Sequence, residues 1–343
     1  MRKIVMMLSC LMQATAFSSV AQSSEYKIIN TFHLVGDGGW DYLSIDESSN
    51  RLFVSHGTQV QVVDLSSGKL IGSVPGLSGV HGIAIAAEIN KAFISCGRDS
   101  SVVIVDLKTL KFIDKIKVTG ANPDAILYDS YSHRVFTFNG RSANATVIDA
   151  YTHKIVTTIA LDGKPEFAVT DGNGKIFVNN EDKSMIYVIN SNTLQVEQKW
   201  TIEPGKEPSG LAFDKANHRL FSVTDKLMVI VDSENGKIVA TVPIGEGVDG
   251  VAFDPIKKRA YSSNGEGTVS VVQEGTPNEF NVVETITTQR GARTIGINTK
   301  THRIYLPTGE FGPVPKPTPE NPRSRPTAKP GTFTILEVGY IKE

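Results

Sequence analysis

Seven residues with chemical potential recur at intervals of 40 to 44: Asp41, His81, Asp124, Glu166, Ser209, Asp249 and Arg293. Carboxylates and an imidazole hold divalent cations, and the imidazole can also serve as a general base. With a guanidinium beside them, they equally suit a small polar, zwitterionic or carboxylate-bearing ligand. A second series reads His56, Cys96, Asn139, Asn180, Thr224, Asn264 and Thr308. Its two departures toward metal-binding types, His56 and Cys96, fall in the same repeats as Asp41 and His81. Neighbouring strands run ~4.8 Å apart, so Asp41, His56, His81 and Cys96 form an expected metal set, for Zn²⁺ or copper. Trp40 offers either a stacking wall or packing between repeats. Arg98, Arg141 and Arg290 complete the expected ligand-binding group, with Arg293. No CxxC, HExxH, GxSxG, phosphate loop or CxxCH occurs in the chain, so the familiar short signatures of zinc, serine-hydrolase, nucleotide and haem chemistry are missing.

The elements that must carry these residues are set by a repeat. Segments of the order basic, apolar, aromatic, then β-branched or small begin at Arg51, Lys91, Arg134, Lys175, Arg219, Arg259 and Arg303, separated by 40, 43, 41, 44, 40 and 44 residues. Each is preceded by a short apolar run, such as Gly82-Ile83-Ala84-Ile85. Each of the first six is followed by a Val/Ile-rich run and then a more polar one. Four short strands in a period of about forty residues predict a propeller blade. Helical repeats of that period are excluded by the Val, Ile, Thr and aromatic content, with Gly or Asn punctuation. The fold expected is an all-β seven-bladed propeller of four-stranded blades. Its last blade lacks a fourth strand, and residues 26–34 are expected to complete that blade and close the ring.

Repeated features are expected to be scaffold, and departures at equivalent positions to be sites. Asp46, Asp129, Asp171, Asp214, Asp254 and Asn298 cap the first turn of their blades, with His133, His218 and His302 inside such turns. Asp64, Asp106, Asp149 and Asp232 hold the turn after the third strand. The first-strand starts and second-strand ends share the opposite face, at the mouth of the central channel.

The aromatic segments, Arg51-Leu52-Phe53-Val54-Ser55-His56-Gly57 and its six counterparts, resemble the YVTN motif. The chain, over roughly residues 26–339, is similar to the YncE-like family of bacterial propellers. That resemblance implies a fold and a binding role; it assigns no chemistry.

Composition bounds the rest. The chain has 343 residues, 40% hydrophobic and 21% charged, with net charge −1. That is ample for one large core and unlike a disordered chain. Arg2 and Lys3, an apolar stretch and Ser19-Val20-Ala21 read as a signal peptide over residues 1–21, cleaved near Ala21. Residues 22–343 are then a single propeller domain in the periplasm or outside the cell. Losing Arg2 and Lys3 takes the net charge to −3, and Cys96 is the one cysteine left. No disulfide within the chain is then available, and no apolar run is long enough for a transmembrane span. Residues 307–331 hold eight prolines among 25. This insertion is expected to be extended, without a sheet of its own, and placed as a lid or a partner-docking segment. Its basic residues Lys316, Arg323, Arg325 and Lys329, counted against Glu320, make it net basic.

The leading expectation is an exported monomer that binds a small polar molecule or another exported protein. The alternative is a lactonase-type hydrolase or lyase using a divalent metal (Zn, Cu, Ca or Mg). In it Asp41, Asp124, Glu166 or Asp249 hold the ion and His81 is the catalytic base. Nucleic-acid binding is a third reading, opposed by the net charge and the acid-lined mouth.

Overall fold

The structure is a computed structural model that describes residues 25–36, 38–316, 318 and 326–341. The expected signal peptide and the middle of the insertion lie outside the described residues.

Short runs of β-branched and aromatic residues, each ended by a turn-forming Asp, Asn or Gly, make strands rather than helices. They assemble into seven four-stranded antiparallel sheets. The second blade is representative: Val80–Ala86, Lys91–Cys96, Ser101–Asp106 and Phe112–Lys117 pair in sequence order. Its second and third strands are buried almost throughout, whereas only Ile116 of the outermost strand is buried. A strand covered on both faces by neighbouring blades needs no polar side, so its apolar residues run on instead of alternating. The inner strands touch in ring order. The last of them, Gly296–Asn298, lies against both Val248–Asp254 and the first, Trp40–Asp46. The seventh blade takes its outermost strand from Tyr26–His33, which pairs antiparallel with Thr334–Tyr340 from Tyr26↔Tyr340 to His33↔Thr334.

The aromatic residues of the repeat form the packing between blades. Phe53, Phe93, Phe136, Phe177, Phe221, Tyr261 and Tyr305 are all at most 1% exposed. Truncating any one to Ala should cost about 3–5 kcal/mol. The turns behave as their sequences require. Asp46 accepts the Ser48 N–H, Asp214 that of Ala216 and Asp254 that of Ile256. His133, His218 and His302 occupy left-handed positions at φ 54°, 57° and 57°. Asp64, Asp106, Asp149 and Asp232 each accept a backbone N–H of the following turn.

One local irregularity positions the site. The inner strands of blades one, two, three, four and six are bulged where they begin, at Trp40/Leu43, Val80/Ile83, Pro123/Ile126, Pro165/Ala168 and Val248/Gly250. Inside these bulges sit Asp41, His81, Asp124, Glu166 and Asp249. A bulge leaves its extra residue out of the ladder and re-aims the side chain. Buried polar residues of the second strands satisfy the freed backbone. Ser55 Oγ accepts the Asp41 N–H at 3.0 Å and donates to the Tyr42 carbonyl at 3.0 Å. Ser95 Oγ accepts the Gly82 N–H at 2.8 Å and donates across the blade boundary to the Asp124 carbonyl at 2.6 Å. Asn179 Nδ2 donates to the Ser209 and Gly210 carbonyls, each at 3.0 Å.

Among the described residues the insertion adds no sheet of its own; its base is joined by an isolated antiparallel bridge, Phe311↔Ala328. The Gly312 N–H donates to Thr327 O at 2.9 Å and the Lys329 N–H to Glu310 O at 2.7 Å. Proline lacks a donor, but the residues that pair here are the non-proline ones. Glu310 also ion-pairs with Lys329 at 3.0 Å, which offsets part of the basic charge of the segment. Among the described residues no helix is long and apolar enough to cross a membrane.

Candidate ligand site at the axial mouth

Three of the recurring residues meet at the mouth. His81 Nδ1 lies 2.7 Å from Asp41 Oδ2 and 3.5 Å from Asp124 Oδ1. The side chains of Asp41, Asp124 and His81 are 18%, 19% and 26% exposed, enough for a small molecule to reach them. Burial alone would lower the His81 pKa. The hydrogen bond to Asp41 and the charges of Asp124 and Asp41 outweigh it and raise the value. Burial, reinforced by Asp41 and Asp249 against the pull of His81, pushes Asp124 up to about 6.

The rest of the ring is paired side to side. Arg293 Nη1 lies 2.8 Å from Asp249 Oδ2. Burial raises the Asp249 pKa even so, with Arg293 opposing. Lys164 Nζ lies 2.5 Å from Glu166 Oε1 and also pairs with Glu181. Burial, then the hydrogen bond between Glu166 and Glu181, lifts the Glu166 pKa well above the usual carboxyl range. Lys164 is shared by both carboxyls; at Glu181 burial is outweighed by the hydrogen bonds to Glu166 and Lys164, which lower the pKa. Ser209 is turned to structure, its hydroxyl reaching the Val248 carbonyl.

Beneath the acids, Tyr42 and Phe167 fill the axis with rings 5.3 Å apart at 56°. Burial and the surrounding Asp124, Asp41, Asp249 and Glu166 raise the Tyr42 pKa well above its ordinary value. Its hydroxyl therefore stays protonated among the carboxylates. Tyr42, Lys164 and Glu181 belong to the site but were not among the expected residues. Aromatics at 42 and 167, where the other repeats carry Gly82, Ala125, Gly210, Gly250 and Thr294, are the signal that marks the first of them.

The expected metal set is not brought together. Its Asp41 and His81 do meet, but His56 and Cys96 lie elsewhere. His56 pairs across the sheet with Trp40, and Cys96 with Val80, so each faces the neighbour of the mouth residue rather than the residue itself. Both are at most 1% exposed. The His56 ring stacks on Phe333 at 4.0 Å, with Nδ1 3.0 Å from Gln61 Oε1. Cys96 packs in the apolar core between blades one and two. The corresponding Asn139, Asn180 and Asn264 likewise turn away from the axis, bonding Asn144, the Leu161 carbonyl and Thr268. Among the described residues, the one group able to share a cation is Asp41, His81 and Asp124, whose ligand atoms lie within 4.8 Å of one another.

Trp40 is half-buried against Phe333 and Phe311, at 5.3 and 5.7 Å between rings. Arg290 and Arg293 join it along a cleft beside the mouth. Arg98, in a turn, and Arg141, in the short 3-10 helix Gly140–Ser142, are exposed outside both mouth cluster and cleft, Arg98 resting its stem on Gly79.

No family model matches the chain. The chain is similar to the uncharacterized protein YncE of Salmonella typhimurium, at 24% identity over 226 residues that cover 64% of this chain. It is YncE-like. The YncE protein of Salmonella typhi matches over the same share, also at 24% identity. The chain spans about half the length of these curated relatives, 51% in each case. A seven-bladed propeller with YncE-like relatives suggests a binding or scaffold role, and the irregular residues of the mouth are where such a role would reside.

Proposed function

We propose that this YncE-like propeller is an exported binding protein that takes a small, positively charged or zwitterionic ligand into its axial mouth. The observation that carries this reading is the incomplete neutralisation of the Asp41–His81–Asp124 cluster and its ring. Among the described residues, Asp41, Asp124, Glu166, Glu181 and Asp249 pair only with His81, Lys164 and Arg293. Carboxyl groups that hold protons at unusually high pH report a site where further positive charge is favourable. A cationic group entering the mouth would replace those protons, and the Tyr42 hydroxyl would offer it a neutral hydrogen-bonding partner. The Arg293 guanidinium, tied to Asp249, would face any carboxylate on the same ligand.

The reading is tested by isothermal titration with a fixed panel of primary amines, amino acids and divalent chlorides. Binding of any member should be lost in an Asp41→Asn/Asp124→Asn variant. Equal binding by that variant would contradict the assignment.

The cation cluster supports a second reading, in which the charge is a divalent metal ion and the mouth hydrolyses or cleaves lactone-type substrates. One imidazole and two carboxylates fit Zn²⁺ or Mn²⁺ better than Cu(I), because the soft thiolate of Cys96 is not among the donors. Asp41, His81 and Asp124 would hold the ion, which would supply Lewis acidity. Lactone hydrolysis that requires added metal and disappears in His81→Ala supports it; metal-independent behaviour returns the mouth to simple binding.

A further inference from the structure

A cleft of about 590 Å³ opens beside the mouth, a volume that suits a small organic molecule. Its lining is unlike that of the acid ring. Trp40 and Phe311 supply aromatic surface, with ring centres 5.7 Å apart and planes 53° from parallel. Trp40 is backed by Phe333, which rests on the His56 ring, so this wall is continuous with the core. Phe311 is fixed by the bridge to Ala328 at the base of the insertion. It lies so close over Gly291 that a Cβ there would fall 2.3 Å from the phenyl ring, and Gly291 has φ +85°. Gly38, Gly39 and Gly265 add bare backbone, against which a flat molecule can lie closely.

The charge of the cleft has one sign. Arg290 and Arg293 line it, and no carboxylate does among the described residues. Arg293 is engaged by Asp249 at 2.8 Å. Arg290 is exposed, and its guanidinium makes no ion pair among the described residues. An aromatic wall beside a guanidinium that no described residue pairs matches a ring carrying an anionic fork, because arginine binds carboxylates in parallel two-point contact and stacks on π-faces.

We propose that this cleft binds a planar aromatic carboxylate, its ring against Trp40 and Phe311 and its carboxylate on Arg290. The site goes beyond the axial mouth in both place and ligand charge, so either assignment stands without the other.

The probe is benzoate, with neutral benzamide and cationic benzylamine as comparisons. The chain has two tryptophans, and Trp200 lies on an outermost strand against Phe177. A Trp200→Phe protein therefore reports on Trp40 alone. Benzoate should change Trp40 emission saturably, with benzamide and benzylamine at least ~10-fold weaker, the scale of one charge-assisted contact. Arg290→Gln, a change at an exposed side chain, should weaken benzoate by a similar factor of about 10 without altering benzamide. Asp124→Asn should weaken cation binding at the mouth while leaving benzoate affinity within about twofold, as expected of separate sites. Saturation-transfer NMR provides a second readout independent of Trp40. Equal affinity for benzoate and benzamide, an unchanged Arg290→Gln protein, or no saturable benzoate signal by either method would overturn the proposal.

Discussion

His81 Nδ1 stands 2.7 Å from Asp41 Oδ2, joining residues one repeat apart in the chain and on adjacent blades. The contact exists because both side chains issue from bulges at the same point of their inner strands. It turns a sequence periodicity into a chemical cluster, and its protonation follows from its surroundings.

Replacing Asp124 with Asn should stabilise the protein above neutral pH. The folded pKa of Asp124 is raised to about 6, so its neutral form is favoured in the fold. That advantage is fully present below the ordinary aspartate range and is lost as pH rises through 6. At pH 8 the buried carboxylate is therefore a liability on the order of 1–3 kcal/mol, which Asn removes. Urea denaturation should show a gain at pH 8 that vanishes by pH 4. The same variant should bind cations more weakly, stability and binding moving in opposite directions.

His81→Gln should instead show its effect, a loss, at the acid end. The His81 pKa is raised in the fold, so the stability of its charged pairing is present below the ordinary histidine value and fades as pH rises through the folded one. The variant should lose about 1–2 kcal/mol near pH 6 and progressively less by pH 9.5. A loss independent of pH, in denaturant titrations at those two values, would mean that packing rather than charge is the histidine's contribution.

Cys96→Ala tests the discarded metal set directly. The residue is fully buried between blades, so removing its sulfur should cost about 1 kcal/mol of stability. Cation binding measured by titration should be unchanged. A large loss of metal affinity would place the thiol in the site after all.

The opposite end of the ring offers a control. Glu274 is 3% exposed and shares Asn217 with Asp214; both carboxyls accept from Asn217 Nδ2, at 3.0 and 2.8 Å. Burial, then the neighbouring Asp214, lifts Glu274 to about 7. Its stabilising protonation is complete below the ordinary glutamate value and lost through pH 7. Glu274→Gln should raise the melting temperature at pH 8 and leave it unchanged at pH 4.5. Calorimetry at both values checks this, and binding at the mouth should not respond.

The propeller was legible because its evidence is repeated: seven aromatic strands, most with turn acids at equivalent places, leave little room for another architecture. The ring of mouth residues was legible for the same reason, since Asp41, His81 and Asp124 hold equivalent places in successive repeats. Side-chain direction was not. His56 and Cys96 pair with Trp40 and Val80, and the strand period of two turns them away from residues one position along. The bulges, in turn, let a second side chain reach the axis in the first and fourth repeats, Tyr42 and Phe167. Tyr42 enters by that route, and a simple alternation would hide it. Lys164 and Glu181 arrive from loops outside the inner strands, where periodicity carries no information.

The central claim is that the mouth formed by Asp41, His81 and Asp124 takes a cation. It is tested most directly by thermal shift at pH 7.5 with zinc, manganese, calcium and ethylenediamine. The native protein and the Asp41→Asn/Asp124→Asn variant would be compared side by side. At least one of these cations should raise the native melting temperature saturably, and the variant should show no shift. No shift of the native protein with any of the four, or equal shifts in the variant, would contradict the account.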